Sequence, residues 1–405
     1  MEQNASCSNC LTYNGVIGIN GGSNQGSQVR IDNLHCVNIN TQCIGVDNIY
    51  GVADHNLFDE PVNTQRGAIR VADDQWGGKP QGFGSWSTAT NFGSGNFFFY
   101  ENNTFNNAYA TDCTIGGRFV FRHNVVNNGY LQTHRLQFDI LACRAVEAYG
   151  NTFNSTLSNP NTYAALYITN GTFLTWGNTI TGGLYSHYIQ AIDQRRMSTD
   201  ILSGPPNGWG MCGTTYVDTG GSNSPNGPSK WDGNQDSSGY PCINQIGRGA
   251  GDLLQGNTPN VCDVTSGQCA SKNYNGSWPN EALEPVYEWN DTVASPTDVF
   301  YVYGNDATIQ KNRDYYLYSA SFNGTSGVGT GLLSARPSTC TAGPGGNTNG
   351  VAYWATDTNT LYVCNPTNTW TTYYTPYTYP HPLVAGSGVT GNPPISPTNL
   401  TASVQ

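Results

Sequence analysis

FRHNVVNN at residues 121–128 recurs as AYGNTFNS at 148–155 and as TWGNTITG at 175–182. In each segment an Asn is followed two residues later by an apolar side chain, and earlier segments share this frame. The last three intervals between the Asn residues are 21, 27 and 27 residues. A repeat of this length, built from short β-type runs, predicts coils that stack on one another. The Asn residues are Asn56, Asn103, Asn124, Asn151 and Asn178, and their apolar partners are Phe58, Phe105, Val126, Phe153 and Ile180.

The stack gives each repeated residue a structural role. Equivalent residues of neighbouring coils lie roughly 4.8 Å apart, so the Asn amides are expected to hydrogen-bond to one another as a ladder. Asn at a coil corner also tolerates left-handed backbone angles. VRIDNLHCVN extends the frame towards the N-terminus, with Asn33 at the corner and Cys36 in the apolar slot. The apolar partners, and the residues five before each Asn, are expected to form inward stacks: Phe98, Phe119, Val146 and Phe173.

These patterns predict an all-β protein: a right-handed parallel β-helix with a long disulfide-tied excursion and a small C-terminal β-hairpin unit. We expect the coils at 1–200 and an irregular Gly/Pro/Ser/Asn-rich excursion packed on the solenoid at 201–300. A late coil and a disulfide-closed β cap follow at 301–380. Residues 381–405 have the composition of a linker that leads to a further module.

Composition narrows the functional classes. The net charge is −11 and no basic stripe occurs, which argues against a nucleic-acid partner. No run of about 18 apolar residues occurs, so no membrane span is predicted. The 12 cysteines favour disulfides and an oxidising compartment. MEQNASCSNC has no apolar signal region, so we expect an extracellular protein whose signal peptide was removed. The expected disulfides are Cys113–Cys143, Cys212–Cys242, Cys262–Cys269 and Cys340–Cys364.

The coils at 98–181 resemble the right-handed parallel β-helix proteins of the pectate-lyase-like superfamily. The segments that carry the resemblance are FYENNTF, FRHNVVNN, AYGNTFN and TWGNTITGG. The superfamily contains polysaccharide lyases, glycoside hydrolases, pectin esterases, phage tailspikes and adhesins. The resemblance therefore implies an extracellular polysaccharide lying across the outer face of the coils, and it leaves the reaction open.

The first candidate site consists of Asp112, Asp139 and His134. Both aspartates lie twelve residues before a ladder Asn, which predicts that they stack in one column. Two such carboxylates repel, which raises the pKa of one of them and suits acid/base catalysis by a glycosidase. His134 would be the proton shuttle, and Arg135 beside it would bind substrate. The alternative is a pair of solvated or Ca2+-binding aspartates.

Further candidates for substrate binding lie on the strands that precede the Asn corner. Arg118 and Arg144 would border the groove together with Glu147, although an Arg–Glu ladder would also explain them. Tyr149 and Trp176 belong to an outward row that suits stacking on sugar rings, unless the excursion at 201–300 covers that face.

Hydrolysis of a polysaccharide within its chain, by paired carboxylates and without a required cofactor, is the favoured function. The alternatives are β-elimination with an Arg base and Ca2+, and a non-catalytic carbohydrate-binding solenoid, adhesin or tailspike-like protein. Asp73 and Asp74, under the loop that carries Trp76 and Trp86, are the fallback site if Asp112 and Asp139 are not catalytic.

Overall fold

The computed structural model describes residues 16–22, 28–39, 42–62, 67–78, 82–133, 143–157, 163–191, 246–249, 262–263, 268–269, 282–294, 298–302 and 309–385. Within these ranges the chain is an all-β protein with few helical residues. Most strands lie in three sheets, and each strand pairs in parallel with its equivalent from the neighbouring coil. This arrangement of stacked parallel sheets is compatible with a β-helix.

The first of the three sheets, which we call the long sheet, has eight strands. Strands are numbered in chain order through the whole protein. They are β2 (Gln28–Asp32), β5 (Tyr50–Asp54), β8 (Phe98–Glu101), β11 (Arg118–Arg122), β14 (Ala145–Tyr149), β17 (Thr172–Trp176), β24 (Val286–Trp289) and β27 (Tyr315–Tyr316). The second sheet, which we call the short-strand sheet, is formed by the strands that come after the Asn corner in each coil. Its strands are β3 (His35–Val37), β6 (Leu57–Asp59), β9 (Thr104–Asn106), β12 (Val125–Asn127), β15 (Thr152–Asn154), β18 (Thr179–Thr181) and β25 (Thr292–Val293).

The third, the split sheet, consists of two four-stranded parts joined by a single parallel bridge between Tyr109 and Tyr130. The first part contains β1 (Ile17–Asn20), β4 (Ile44–Asp47), β7 (Gly67–Ala72) and β10 (Tyr109–Cys113). The second contains β13 (Leu131–Gln132), β16 (Ala164–Ile168), β19 (His187–Ala191) and β26 (Phe300–Val302).

The remaining elements lie outside the three sheets. Two strand pairs are antiparallel: β20 (Arg248–Gly249) with β23 (Ala282–Leu283), and β21 (Cys262–Asp263) with β22 (Gln268–Cys269). A C-terminal sheet contains β28 (Val328–Gly331), β29 (Ala352–Ala355), β30 (Thr360–Cys364) and β31 (Trp370–Tyr374). The helices are α1 (Phe83–Ser87), α2 (Pro382–Ala385) and 3-10 turns at Trp76–Gly78, Leu333–Ala335 and Pro344–Gly346.

The predicted Asn ladder is present. Asn151 Oδ1 accepts hydrogen bonds from Asn124 N at 2.9 Å and from Asn124 Nδ2 at 3.2 Å. Asn178 Oδ1 likewise accepts from Asn151 N and Nδ2, and the pattern continues through Asn103 and Asn56. All five Asn side chains are buried. Because each amide bonds to the coils on both sides, the ladder fixes the register of the stack.

The first rung differs from the sequence-based prediction. Leu34 N donates to Asn56 Oδ1 at 2.9 Å, so Leu34 rather than Asn33 occupies the ladder position of the first coil. Asn33 instead takes a left-handed backbone conformation, with φ 56°, as His55 and Asn102 do at the equivalent place. The left-handed residue therefore precedes the ladder residue, and the corner uses two positions where the sequence analysis assigned one.

The two predicted inward stacks are confirmed. One runs through the long sheet and the other through the short-strand sheet, and their members pair in register and are buried in one core. The first stack contains Phe98, Phe119, Val146 and Phe173, and the second contains Phe105, Val126, Phe153 and Ile180.

Disulfides add covalent links to the stack. Cys113–Cys143 and Cys340–Cys364 form as predicted. Cys36 also bonds to Cys43, a pairing that the apolar role predicted for Cys36 did not include. The side chains of Cys262 and Cys269, and the whole of Cys212 and Cys242, lie outside the described residues.

The coils continue beyond the boundary predicted at residue 200. Strand β24 pairs with β17, so Val286–Trp289 belongs to the long sheet although residues 201–300 were assigned to the excursion, and β26 pairs with β19 at the start of the predicted late coil. Residues 192–245 lie outside the described ranges.

The C-terminal sheet packs on the outside of the long sheet. Its inner face buries Val328, Trp354 and Tyr374 against Tyr287 and Trp289. The chain after β31 then crosses the coils, where Tyr377 O and Thr378 O accept hydrogen bonds from the Arg122 guanidinium at 2.8 Å each. The long sheet is thus covered by the C-terminal part of the chain.

We expect Asn151→Ala to lower the free energy of unfolding by about 2–4 kcal/mol, since it leaves several buried backbone and amide groups without a partner. Among them is Phe121 O, which accepts from Asn151 Nδ2 at 2.9 Å. The control is Asn154→Ala, which removes a partly exposed Asn three residues later and should cost less than about 0.5 kcal/mol. Denaturant titration of both variants measures the difference, and equal costs would contradict the ladder's stabilising role.

Candidate functional site

The predicted outward row of the long sheet is present, but other parts of the protein cover it. Asp54, Glu101, Arg122, Tyr149 and Trp176 are neighbours on successive strands. Tyr149 is 3% exposed, and its ring stacks on Trp176 at 4.6 Å. Trp176, which is partly exposed, lies 5.1 Å from the Trp354 ring of the C-terminal sheet. These aromatic rings contact protein on the face where a sugar ring was expected to stack.

Glu147 is enclosed in the same way. Its carboxylate accepts hydrogen bonds from Gly93 N at 2.7 Å and from the Tyr374 hydroxyl at 2.9 Å. Burial nevertheless raises the pKa of Glu147 to about 7, because these two hydrogen bonds offset only part of the cost of removing the carboxylate from water. Glu147 therefore bridges the long sheet, the loop before β8 and the C-terminal sheet.

Arg118 and Arg144 hold the loop at residues 82–97 against the coils. The Arg118 guanidinium donates to Ala89 O at 2.8 Å and to Thr90 O at 2.9 Å, and it lies 4.5 Å from the Trp76 ring centroid. Arg144 pairs with Glu284 at 2.6 Å and donates to Thr88 O at 3.2 Å. Both side chains are buried, so a role in substrate binding is a prediction that their present contacts do not favour.

Asp112 lies on the split sheet, in a different environment from these residues. Gln42 Nε2 donates to Asp112 Oδ2 at 2.9 Å. Burial raises the pKa of the Tyr109 hydroxyl, and the negative charge of Asp112 raises it further, while a side-chain hydrogen bond with Gln42 opposes the shift. Asp112 therefore belongs to a polar group with Gln42 and Tyr109.

A row of tyrosines continues from this group across the next coils. Tyr109 and Tyr130 have ring centroids 5.8 Å apart, and Tyr130 and Tyr167 have centroids 6.2 Å apart. All three side chains are partly exposed. We refer to Tyr109, Tyr130 and Tyr167 as the tyrosine row. Burial raises the pKa of Tyr130, and the charge of Asp112 contributes to this shift, so the row and the carboxylate are close neighbours.

On the other side of Asp112, three carboxylates gather where β4 and β7 end. Asp74 N donates to Asp47 Oδ1 at 3.0 Å. Burial raises the pKa of Asp47, and the charge of Asp74 adds to the shift. Asp73 is buried, and burial raises its pKa well above the ordinary value despite the opposing charge of Arg118. Asp47 and Asp74 are partly exposed. We call Asp47, Asp73 and Asp74 the carboxylate cluster.

Arg70 joins the two groups. It pairs in register with Asp112 on the neighbouring strand β10. Its positive charge lowers the pKa of Asp47 and also that of Tyr109. A polymer that crosses the coils of the split sheet would therefore meet the tyrosine row, Asp112 with Arg70, and the carboxylate cluster in that order.

The spacing that predicts a column of Asp112 and Asp139 does not hold in the next coil. The same spacing assigns Leu166 to that column in the next coil, but Leu166 pairs with Leu131. The bridge between Tyr109 and Tyr130 aligns Asp112 with Thr133 in the following coil. Asp139, His134 and Arg135 lie outside the described residues, so their roles stay predictions.

The sequence analysis missed the tyrosine row and Asp47. The three tyrosines stand at different distances from the ladder Asn that follows each of them, because the turns between the sheets differ in length. A search for aromatic residues at the start of each β run after the Asn-rich turn could have found Tyr109 and Tyr130. Asp47 ends IGVD as Asn20 ends IGIN, and that parallel was the available signal.

Comparison with protein-family models, with curated proteins and with solved structures finds no match for this chain. In the described ranges, no helix has the length and apolar character to cross a membrane. The same ranges contain no group of three or more His, Cys, Asp or Glu side chains arranged to hold a metal ion.

The pKa of Glu147 gives a pH-dependent prediction. A carboxyl whose folded pKa lies above its unfolded value of 4.5 stabilises the fold fully below that value, and the contribution is lost as the pH rises through about 7. Relative to Glu147→Gln, the parent protein should lose about 3 kcal/mol of unfolding free energy between pH 4.5 and pH 8, since each pKa unit corresponds to about 1.4 kcal/mol.

Denaturant titration of both proteins at pH 4.5 and pH 8 measures this difference. Glutamine keeps an oxygen for Gly93 N and can donate to Tyr374, so it is the matched neutral replacement. A difference between parent and variant that is the same at both pH values would contradict the raised pKa.

Proposed function

We propose that the coils form a right-handed parallel β-helix and that the protein is an extracellular glycoside hydrolase that cuts a polysaccharide within its chain. The observation that carries this proposal is the tyrosine row, which leads to Asp112 and then to Asp47 and Asp73, two carboxyl groups whose pKa values are raised by burial. Aromatic faces are suited to sugar rings, and a carboxyl that keeps its proton beside an ionised one suits glycoside hydrolysis.

The polysaccharide would lie across the split sheet, with successive sugars against Tyr167, Tyr130 and Tyr109. Coils are spaced roughly 4.8 Å apart, which is comparable to the length of one sugar unit. Ring contacts between neighbouring tyrosines hold their orientation before a ligand binds. The row therefore lowers the entropic cost of binding an extended chain.

Asp47 is our candidate for the general acid. It is partly exposed, and its raised pKa favours the protonated form that a departing sugar oxygen requires. Asp74, also partly exposed, is the candidate for the second carboxyl group that the hydrolysis requires. Asp112, proposed from the sequence, would act from the other side of Arg70, where it can bind or polarise the sugar unit next to the cleaved bond.

Removing the acid group tests the chemistry. We expect Asp47→Asn to lower the rate of reducing-end release by ~10²-fold or more, the low end for a positioned acid or base. Asp112→Asn should lower it as well. Asp59→Asn is the control, since Asp59 is a partly exposed carboxylate on the short-strand sheet. Melting temperatures of all three variants separate lost chemistry from lost folding.

Full activity of both Asp47→Asn and Asp112→Asn would exclude this site. An unsaturated uronate in the products, detected by its ultraviolet absorbance, would show β-elimination instead.

Removing a ring tests the tyrosine row. We expect Tyr130→Ala to weaken polysaccharide binding about tenfold, corresponding to about 1.4 kcal/mol for the lost ring contact. Tyr318→Ala is the control, because Tyr318 is 46% exposed and lies outside the row. Affinity electrophoresis in gels that contain a panel of polysaccharides measures the binding. Equal retardation of the two variants would contradict the role of the row, whereas retardation without turnover by the parent protein would identify a binding protein.

A further inference from the structure

The outer face of the C-terminal sheet carries a second group of aromatic side chains. Tyr353 and Tyr362 are paired across β29 and β30. Phe322 lies over Gly329 of β28, and its ring centroid is 6.0 Å from Tyr353 and 6.4 Å from Trp370. We call Phe322, Tyr353, Tyr362 and Trp370 the aromatic platform. Of these, Phe322, Tyr362 and Trp370 are partly exposed, so the platform forms a surface.

The platform lies opposite the face that contacts the coils. Alternate residues of the same strands, including Trp354, Leu361 and Val363, are buried in the cluster that packs on the long sheet. Successive side chains of a strand point to opposite faces, so the platform residues point away from the coils. This surface is therefore separate from the tyrosine row, which lies on the split sheet.

Arg336 places a positive charge at the platform. The Arg336 guanidinium lies 4.3 Å from the Tyr362 ring centroid and 5.3 Å from that of Trp370. Its Nη1 is buried and makes no hydrogen bond to any of the described residues. No carboxylate in the described part of the chain lies within ion-pair distance of Arg336. The nearby Asp357 accepts a hydrogen bond from Leu333 N at 2.9 Å.

An arginine whose guanidinium lies over aromatic rings is suited to binding an anion. The rings hold the planar guanidinium in place, and the N–H donors of the partly exposed Arg336 side chain match a carboxylate or a sulfate. The adjoining aromatic surface adds contact area for the apolar face of a sugar ring.

We propose that the aromatic platform and Arg336 form a second glycan-binding site, specific for an anionic sugar unit of an acidic polysaccharide. Arg336 binds the carboxylate or sulfate, and Trp370 and Tyr362 contact the ring of the same sugar or of its neighbour. The proposal goes beyond the hydrolase site, and it holds whether or not the split sheet cleaves a polymer.

Affinity electrophoresis with polygalacturonate in the gel tests the proposal. Fully methyl-esterified polygalacturonate has the same backbone without the charges, and it is the matched neutral probe. We expect the parent protein to be retarded by the acidic polymer and much less by the ester. Arg336→Gln should weaken binding about tenfold or more. Lys311→Gln is the control, since it removes the same charge from an exposed lysine.

Further measurements identify the anion that binds and test whether the planar guanidinium is required. Dextran sulfate in place of polygalacturonate distinguishes a sulfate-binding site from a carboxylate-binding site, and retardation by either polymer that depends on Arg336 supports the proposal. Arg336→Lys keeps the charge but not the planar fork, so it should bind more weakly than the parent. This second variant also keeps the test informative if Arg336→Gln does not fold, which its melting temperature would reveal.

Three outcomes would overturn the proposal: no retardation by either anionic polymer, equal effects of Arg336→Gln and Lys311→Gln, or equal binding to the acid and its ester. The Arg336-dependent preference for the acidic polymer over its ester should persist in Tyr130→Ala, because the Tyr130 side chain lies on the split sheet. A failure of the hydrolase site is therefore distinguishable from a failure of the platform.

Discussion

The hydrogen bonds of the Asn ladder are the constraint on which the rest of this structure depends. From Asn103 to Asn178, each ladder oxygen accepts from both the backbone and the side chain of the preceding coil, so a coil cannot slip by one residue without losing several buried hydrogen bonds. Once the register is fixed there, residues at a constant distance from the corner become vertical neighbours. The inward phenylalanine stacks follow directly from this geometry.

The same register also produces rows on the outside of the long sheet, and there the C-terminal part of the chain covers them. Arg122 pairs with Glu101 at 2.7 Å, both side chains being buried, and its Nη1 donates to the Tyr149 hydroxyl and to Tyr377 O of the crossing segment. Buried charges are tolerated when they are paired and hydrogen-bonded. The covered face thus stabilises the fold, and the polymer that we propose as ligand is assigned to the split sheet, which carries the tyrosine row.

The sequence predicted well those features that depend on a constant spacing. The ladder and the two core stacks were found because the corner and its flanking strands have the same length in every coil, from Asn103 to Asn178. The split sheet was predicted poorly, since the turns on either side of it differ in length and a fixed offset from the corner loses the register. The offset therefore placed Asp139 and Leu166 beside Asp112, where the structure aligns Leu166 with Leu131. The sequence analysis considered residues 201–300 as the cover of the long sheet, whereas the C-terminal sheet packs there. Aromatic content alone does not distinguish between these two segments.

The tyrosine row and the aromatic platform lie on different sides of the coils, and this placement has a consequence for binding. If the platform holds an acidic polymer, the tyrosine row meets segments of the same polymer at a raised effective concentration, provided that the chain is long enough to reach around the coils. The two sites would then differ in their salt dependence. Binding at Arg336 is an ion pair at a surface and weakens as salt screens it, whereas stacking on the tyrosine row involves no net charge. Turnover of an acidic polysaccharide should consequently fall with salt more steeply than turnover of a neutral one, and Arg336→Gln should remove that difference while leaving hydrolysis of short oligomers unchanged.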